Sequence, residues 1–305
     1  MQALYAYSMK PFEDPLNAQT ALVKTVRNCY TLFLWFFSIF PELTYYRKNK
    51  LEDLKGKHNP TAEDLNPNLK FVENQVIEQI EDNTVLKRLF ANNRIGWSND
   101  TDVIVRLFHI IEETEEYKSY MANPERSYDE DRKLVLTIIE NVLAPDEYMH
   151  WYFSEKDTNW LDDYEEALSM LYRNINRFKQ KAGSENKIFT LYKDTQDEEG
   201  FIKKLFSETI KHDAEYERLI EEKLHNWELE RVTGMDILLI KMAVCEFVEF
   251  SGIPIKVTMN EYIELAKLYS TGKSHGFVNG VLDKLLVDLK EQGKINKTGT
   301  GLYQK

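Results

Sequence analysis

Eleven consecutive residues, Tyr30 to Phe40 (YTLFLWFFSIF), set the first limit on how this chain folds. A membrane-spanning helix needs about 20 apolar residues, so the run is too short to cross a bilayer. It also lacks the position and flanks of a secretion signal. It lies inside a longer stretch, Asn17 to about Leu54, with no Gly and a single Pro, Pro41. That pattern predicts a long helix, kinked or divided at Pro41. Its apolar middle must be buried among other helices or presented to a partner. Breakers are scarce elsewhere too, with 12 Gly and 8 Pro in 305 residues, and this favours an all-α fold over a turn-rich sheet protein.

Further along, Lys57 to Asn68 carries two Asn-Pro pairs and reads as a loop. A helix is predicted from about Leu69 to Ala91, with Phe71, Val76, Ile77, Ile80, Val85, Leu86 and Leu89 on an interrupted apolar stripe. Ser98 to Asp102 reads as a cap, and Val103 to Met121 as a further helix. Residues 132–180 and 203–250 share a faint pattern around Trp160 and Trp227, a decayed duplication at most. In the last third, Asp236 is placed to cap Ile237 to Phe250, which is apolar on nearly all sides and reads as the central helix of a bundle. Ser251 to Pro254 stops it. Asn260 then opens a shorter helix to about Tyr269, and Ser274 caps a last one carrying Val278, Val281, Leu282, Leu285, Leu286 and Leu289. The tail from Gln292 is polar and reads as loose.

The two cysteines, Cys29 and Cys245, form no CxxC pair and sit in apolar runs, as expected of reduced thiols in a cytoplasmic protein. Net charge is −12, which argues against a generic nucleic-acid binder. The excess is uneven, however. Residues 201–305 hold 15 Lys+Arg against 16 Asp+Glu, net −1, whereas residues 1–200 hold 24 against 35, net −11.

Thr271-Gly272-Lys273-Ser274 is no phosphate loop, because position 267 is Lys where that loop needs Gly. Two Glu-x-x-His pairs, Glu147/His150 and Glu222/His225, raise di-iron bundle chemistry. On a helical wheel Glu222 and His225 point away from the apolar face that holds Ile220 and Leu224, where a core metal cannot sit. His58, His109 and His212 have no nucleophile partner and read as solvated or locally bonded. No catalytic residue, metal or cofactor is expected.

The last third carries more specific blocks: Asn226 to Arg231, Met235 to Ala243, Ile253 to Val257, Asn260 to Lys267 and Ser274 to Lys284, the last containing Phe-Val-Asn-Gly-Val-Leu-Asp. With Gln2 to Tyr7 at the start, these segments closely resemble the transcription antitermination factor NusB family, in the family's order. Much of the pattern is equally a fold signature, since Asn260 and Ser274 suit caps and Pro254 fixes a helix exit.

The resemblance implies a helical fold of two small bundles and a non-enzymatic adaptor. Such proteins pair with the small-subunit ribosomal protein that doubles as NusE. Together the two bind single-stranded boxA RNA within the transcription elongation complex. Matching position by position, the RNA side would comprise Gln2, Tyr5, Lys273, Ser274, His275 and Phe277, with Phe277 equally suited to the core. The NusE side would comprise Glu230 and Asp236, acidic positions that suit a basic partner, although Asp236 suits a helix cap as well. The family usually has an acidic residue where this chain has Lys273, a change that favours RNA. It also has a basic arm before the motif that here begins at Gln2, so a basic segment upstream of Met1 is expected. Three parts follow: a first helix at 1–10, an acidic helical insertion at 11–200, and a NusB-like domain at 201–290 with a loose tail at 291–305. A relative of RNA cytosine methyltransferases is excluded because the cofactor domain and catalytic Cys are missing. A protein scaffold that has lost RNA binding stays open.

Overall fold

The computed structural model describes residues 1–9, 14–192, 194–224 and 233–302 of the chain. Among them every regular element is helical, so the fold is all-α as the scarcity of breakers predicts. The chain divides into two compact units, one of residues 1–24 with 192–305 and one of residues 25–191.

Helix α1 is Gln2–Ser8 and α2 is Pro15–Lys55, which gives its first ten residues to one unit and the rest to the other. It runs through Pro41 as one element, so of the expected kink or division at Pro41 the division does not occur. Its apolar run is interior: Leu32, Phe33, Leu34, Phe36, Phe37, Ile39 and Phe40 are fully buried. The buried hydroxyl in the run is satisfied, since Ser38 Oγ donates to the Trp35 carbonyl at 2.7 Å and accepts from Trp97 Nε1 at 2.8 Å.

The 25–191 unit continues with α3 (Ala62–Leu65), α4 (Gln75–Asp82), α5 (Thr84–Asn93), α6 (Thr101–Glu113), α7 (Glu115–Ala122), α8 (Tyr128–Ile138), α9 (Glu147–Lys156) and α10 (Trp160–Asn176). Two helices expected to be single are therefore each broken in two. Asn74 Oδ1 accepts from the amides of Val76 and Ile77, and Asn83 Oδ1 from those of Val85 and Leu86. Thr114 Oγ1 likewise accepts from the Tyr117 amide. These short side chains satisfy the orphan donors of a new helix start, and so set breaks inside an otherwise continuous apolar stripe. The predicted loop at 57–68 contains the short α3, started by a capping box between Thr61 and Asp64. The core is rich in rings. Phe153 meets Trp35, Phe36, Trp97, Tyr152, Trp160 and Tyr164 at centroid distances from 5.1 to 6.3 Å.

The other unit holds α1, the start of α2, α11 (Thr195–Lys211), α12 (Asp213–Leu224), α13 (Gly234–Glu249), α14 (Ile255–Tyr269) and α15 (Ser274–Glu291). Helix α13 is central, as its all-round apolarity predicts, and packs against α1, α11, α12, α14 and α15. Helix α14 starts at Ile255 rather than Asn260, with Pro254 at the N-cap. Proline there loses no hydrogen bond, because the first amides of a helix have no intrahelical partner anyway. Residues 294–302 are tied down on the end of α13. Lys297 Nζ donates to the carbonyls of Glu246 and Phe250, and the Thr298 amide to that of Ser251. Gly301 lies so close to the Ser251 carbonyl that a Cβ would overlap it.

Candidate functional site

The residues singled out in the last third converge on the turn between α14 and α15. Ser270 leaves α14 in an extended conformation, and Lys273 occupies the N-cap of α15 without a capping side chain. Ser274, expected at that cap, is instead the first helical residue and is buried. Its hydroxyl donates to Asp236 Oδ2 at 3.0 Å and accepts from Ser270 Oγ at 2.9 Å, with Thr271 Oγ1 2.8 Å away. Thr233 Oγ1 lies 3.2 Å from Ser270 Oγ.

Asp236 anchors this cluster from beneath. The cap of α13 is Thr233, not Asp236, and the two form a capping box: the Asp236 amide donates to Thr233 Oγ1 and the Thr233 amide to Asp236 Oδ2. Asp236 is only 1% exposed, and its Oδ1 has no hydrogen-bond partner among the described residues. The carboxylate therefore points inward and joins the start of α13 to the start of α15. Glu230, its expected companion on the NusE side, lies outside the described residues.

Above this cluster Lys273 and His275 are both exposed, and neither has an ion-pair partner among the described residues. Two lone cationic or ionisable side chains thus flank a helix N-terminus whose first amides lack a side-chain cap, a combination that attracts anions. Phe277 is buried within the unit's core, in the same cluster as Leu4 of α1. On α1, Gln2 is exposed and Tyr5 is 37% exposed, while Leu4 turns inward. The residues expected on the RNA side thus divide: Gln2, Tyr5, Lys273 and His275 lie at the surface, while Ser274 and Phe277 lie beneath it.

Neither Glu-x-x-His pair forms a metal centre among the described residues. The His150 ring stacks on Tyr164 with centroids 3.6 Å apart, and its Nε2 lies 3.2 Å from the Ala144 carbonyl oxygen. Glu222 is on α12 and exposed, and His225 is outside the described residues. The structure brings together a different group, Glu208, His212 and Glu249. Glu208 and His212 are one helical turn apart, a spacing visible in sequence, but Glu249 joins them only through packing of α11 on α13. Lys211 and Lys204 already pair with the two carboxylates, at 2.9 and 3.4 Å.

The model of the NusB family matches residues 163–286. A protein of Salinibacter ruber named transcription antitermination protein NusB is 40% identical over 146 residues, covering 46% of this chain and 89% of that relative. The chain belongs to the NusB family. Two further relatives of the same name are similar to this NusB-family chain. One, from Chloroherpeton thalassium, is 39% identical over 102 residues, covering 33% of this chain and 48% of its own length. The chain thus spans about half of that relative. The other, from Bacillus pumilus, is 37% identical over 99 residues, covering 32% of this chain and 76% of its own length. No solved structure matches this NusB-family chain significantly.

Proposed function

We propose that this chain is a non-enzymatic transcription antitermination factor that binds single-stranded boxA-type RNA together with NusE, in the cytoplasm and within the elongation complex. The carrying observation is the exposed Lys273 and His275 at the start of α15, without an ion-pair partner among the described residues, on a turn locked from below by Asp236 and Ser274. A phosphate at this turn meets a lysine, the helix dipole and free amides, and Tyr5 offers a ring face for a base. Gln2 supplies a side-chain amide for base edges. Ser274 and Phe277 hold the turn in shape. Asp236 serves the NusE side indirectly by fixing the start of α13, and Glu230 supplies the charge that suits a basic ribosomal protein.

The test is binding of labelled boxA RNA across a salt series, with and without NusE. Lys273→Glu is expected to weaken RNA binding and to lower the salt slope by about 1, and Tyr5→Ala to cost about 1–3 kcal/mol of RNA affinity. NusE binding that survives while no RNA binds under any condition would refute the adaptor and leave a protein scaffold.

A further inference from the structure

The pinned tail walls off a second feature, at the far end of α15 from the turn described above. A cleft of about 420 Å³ lies between the start of α14, the end of α15 and the tail, lined by Ile255, Lys256, Met259, Leu286, Lys290, Lys297, Gly301 and Leu302. Three of these side chains are lysines, the others are aliphatic apart from one glycine, and no carboxylate among the described residues lines it. That is unusual in a chain with 51 Asp+Glu against 39 Lys+Arg.

The charges are available. Lys203, Lys204, Lys211, Lys223, Lys241, Lys267 and Lys294 of the same unit are all ion-paired. Lys256 and Lys290 are exposed and have no such partner among the described residues. The nearby carboxylate of Asp288 is turned to Lys223. Lys297 is spent on the carbonyls that end α13, so it shapes the wall. Pro254 at the N-cap contributes no capping side chain, so the amides of Ile255 and Lys256 at the start of α14 are left without one, while the Val257 amide donates to the Pro254 carbonyl. Between the two free lysines the surface is aliphatic, and Leu302 stands 65% exposed at its edge.

We propose that this cleft is a docking site for a short acidic segment of a partner protein, one that places an aliphatic side chain over Met259, Leu286 and Leu302 and carboxylates against Lys256, Lys290 and the start of α14. Charge complementarity selects the acidic groups and the aliphatic floor selects the side chain between them. RNA fits worse, because no aromatic ring among the described residues lines the cleft to stack a base.

The test uses the full chain and a fluorescein-labelled pool of short peptides with Glu or Asp at alternate positions and Leu, Ile or Met between them, followed by fluorescence anisotropy. Binding is expected that weakens with added salt, falls about tenfold in Lys256→Glu/Lys290→Glu, and falls again when the aliphatic positions of the peptides become Ser. Both lysines are exposed, so the variant folds, as circular dichroism will verify. Leu302→Ser provides an independent check on the apolar half of the contact. The proposal is overturned if no peptide in the pool binds, if both variants bind as well as the parent, or if a uridine-rich oligonucleotide displaces the peptides from the cleft.

Discussion

Beyond Asp236 at its start, helix α13 buries two further charged side chains, Lys241 and Glu246, and each is resolved by a different device. Lys241 Nζ reaches Asp213 at 2.7 Å and Glu217 at 3.1 Å, so its stem packs in the core while its charge meets two half-exposed carboxylates. Glu246 accepts from Thr258 Oγ1 at 2.7 Å and from the Tyr262 hydroxyl at 3.2 Å. Burial pushes its carboxyl above the usual range, more strongly than those two donors and Lys297 draw it down. A carboxyl raised in the folded state favours folding fully at pH below its unfolded value, and that contribution is lost as pH rises through the folded value. Glu246→Gln, uncharged throughout, is therefore expected to be more stable than the parent near neutral pH, with the gap closing as pH falls toward about 4.5. Thermal melts of both proteins across that range decide it; parallel curves would sink the idea. Both charged residues are plain in the sequence of an otherwise apolar helix, but their partners lie 12 to 28 positions away on other helices. Tertiary packing alone selects those partners. Ser274 illustrates the same limit, since a serine before an apolar stripe suggests a cap, whereas here its hydroxyl is drawn inward by Asp236.

At the scale of elements, asparagines decide where helices stop. Asn83 is buried, caps α5 through two amides, and also donates to the Asn186 carbonyl at 2.9 Å. Removing it deletes a cap worth about 1 kcal/mol and leaves a buried carbonyl without its donor, at about 1–3 kcal/mol more. Asn83→Ala is therefore expected to destabilise the 25–191 unit by about 2–4 kcal/mol, whereas Asn93→Ala, at an exposed position, should cost no more than about 0.5 kcal/mol. Chemical denaturation of both variants is the check, and equal losses would show that capping is not what holds this junction. The existence and type of these helices are legible from their apolar stripes; their division is not. Asn74 and Asn83 sit within runs whose periodicity continues through them, and the competition between a side-chain cap and the next backbone turn is settled by what each asparagine meets in the fold. The long α2 shows the converse. Pro41 reads as a kink or a break, yet the helix continues through it as one element, with Ile39 and Phe40 before it fully buried and Thr44 Oγ1 donating to the Pro41 carbonyl at 2.9 Å.

Over the whole molecule, charge and core divide along the same lines. Residues 25–191 hold 21 Lys+Arg against 29 Asp+Glu, net −8, and the remainder hold 18 against 22, net −4. Each unit has its own hydrophobic cluster, one centred on the rings around Phe153 and one on α13. Two cores that share few buried side chains have no reason to melt as one, so calorimetry is expected to resolve two transitions. Phe153→Ala removes a fully buried ring and should cost about 3–5 kcal/mol in its own unit. It is expected to lower one transition only, while Leu282→Ala, fully buried in the other cluster, lowers the other. Below both transitions Phe153→Ala should bind boxA RNA as the parent does, because the turn carrying Lys273 and His275 belongs to the other unit. A single transition displaced by either substitution would instead mean that α2, which contributes residues to both units, couples them into one cooperative structure. In that event the 25–191 region would be part of what holds the turn carrying Lys273 and His275 in place.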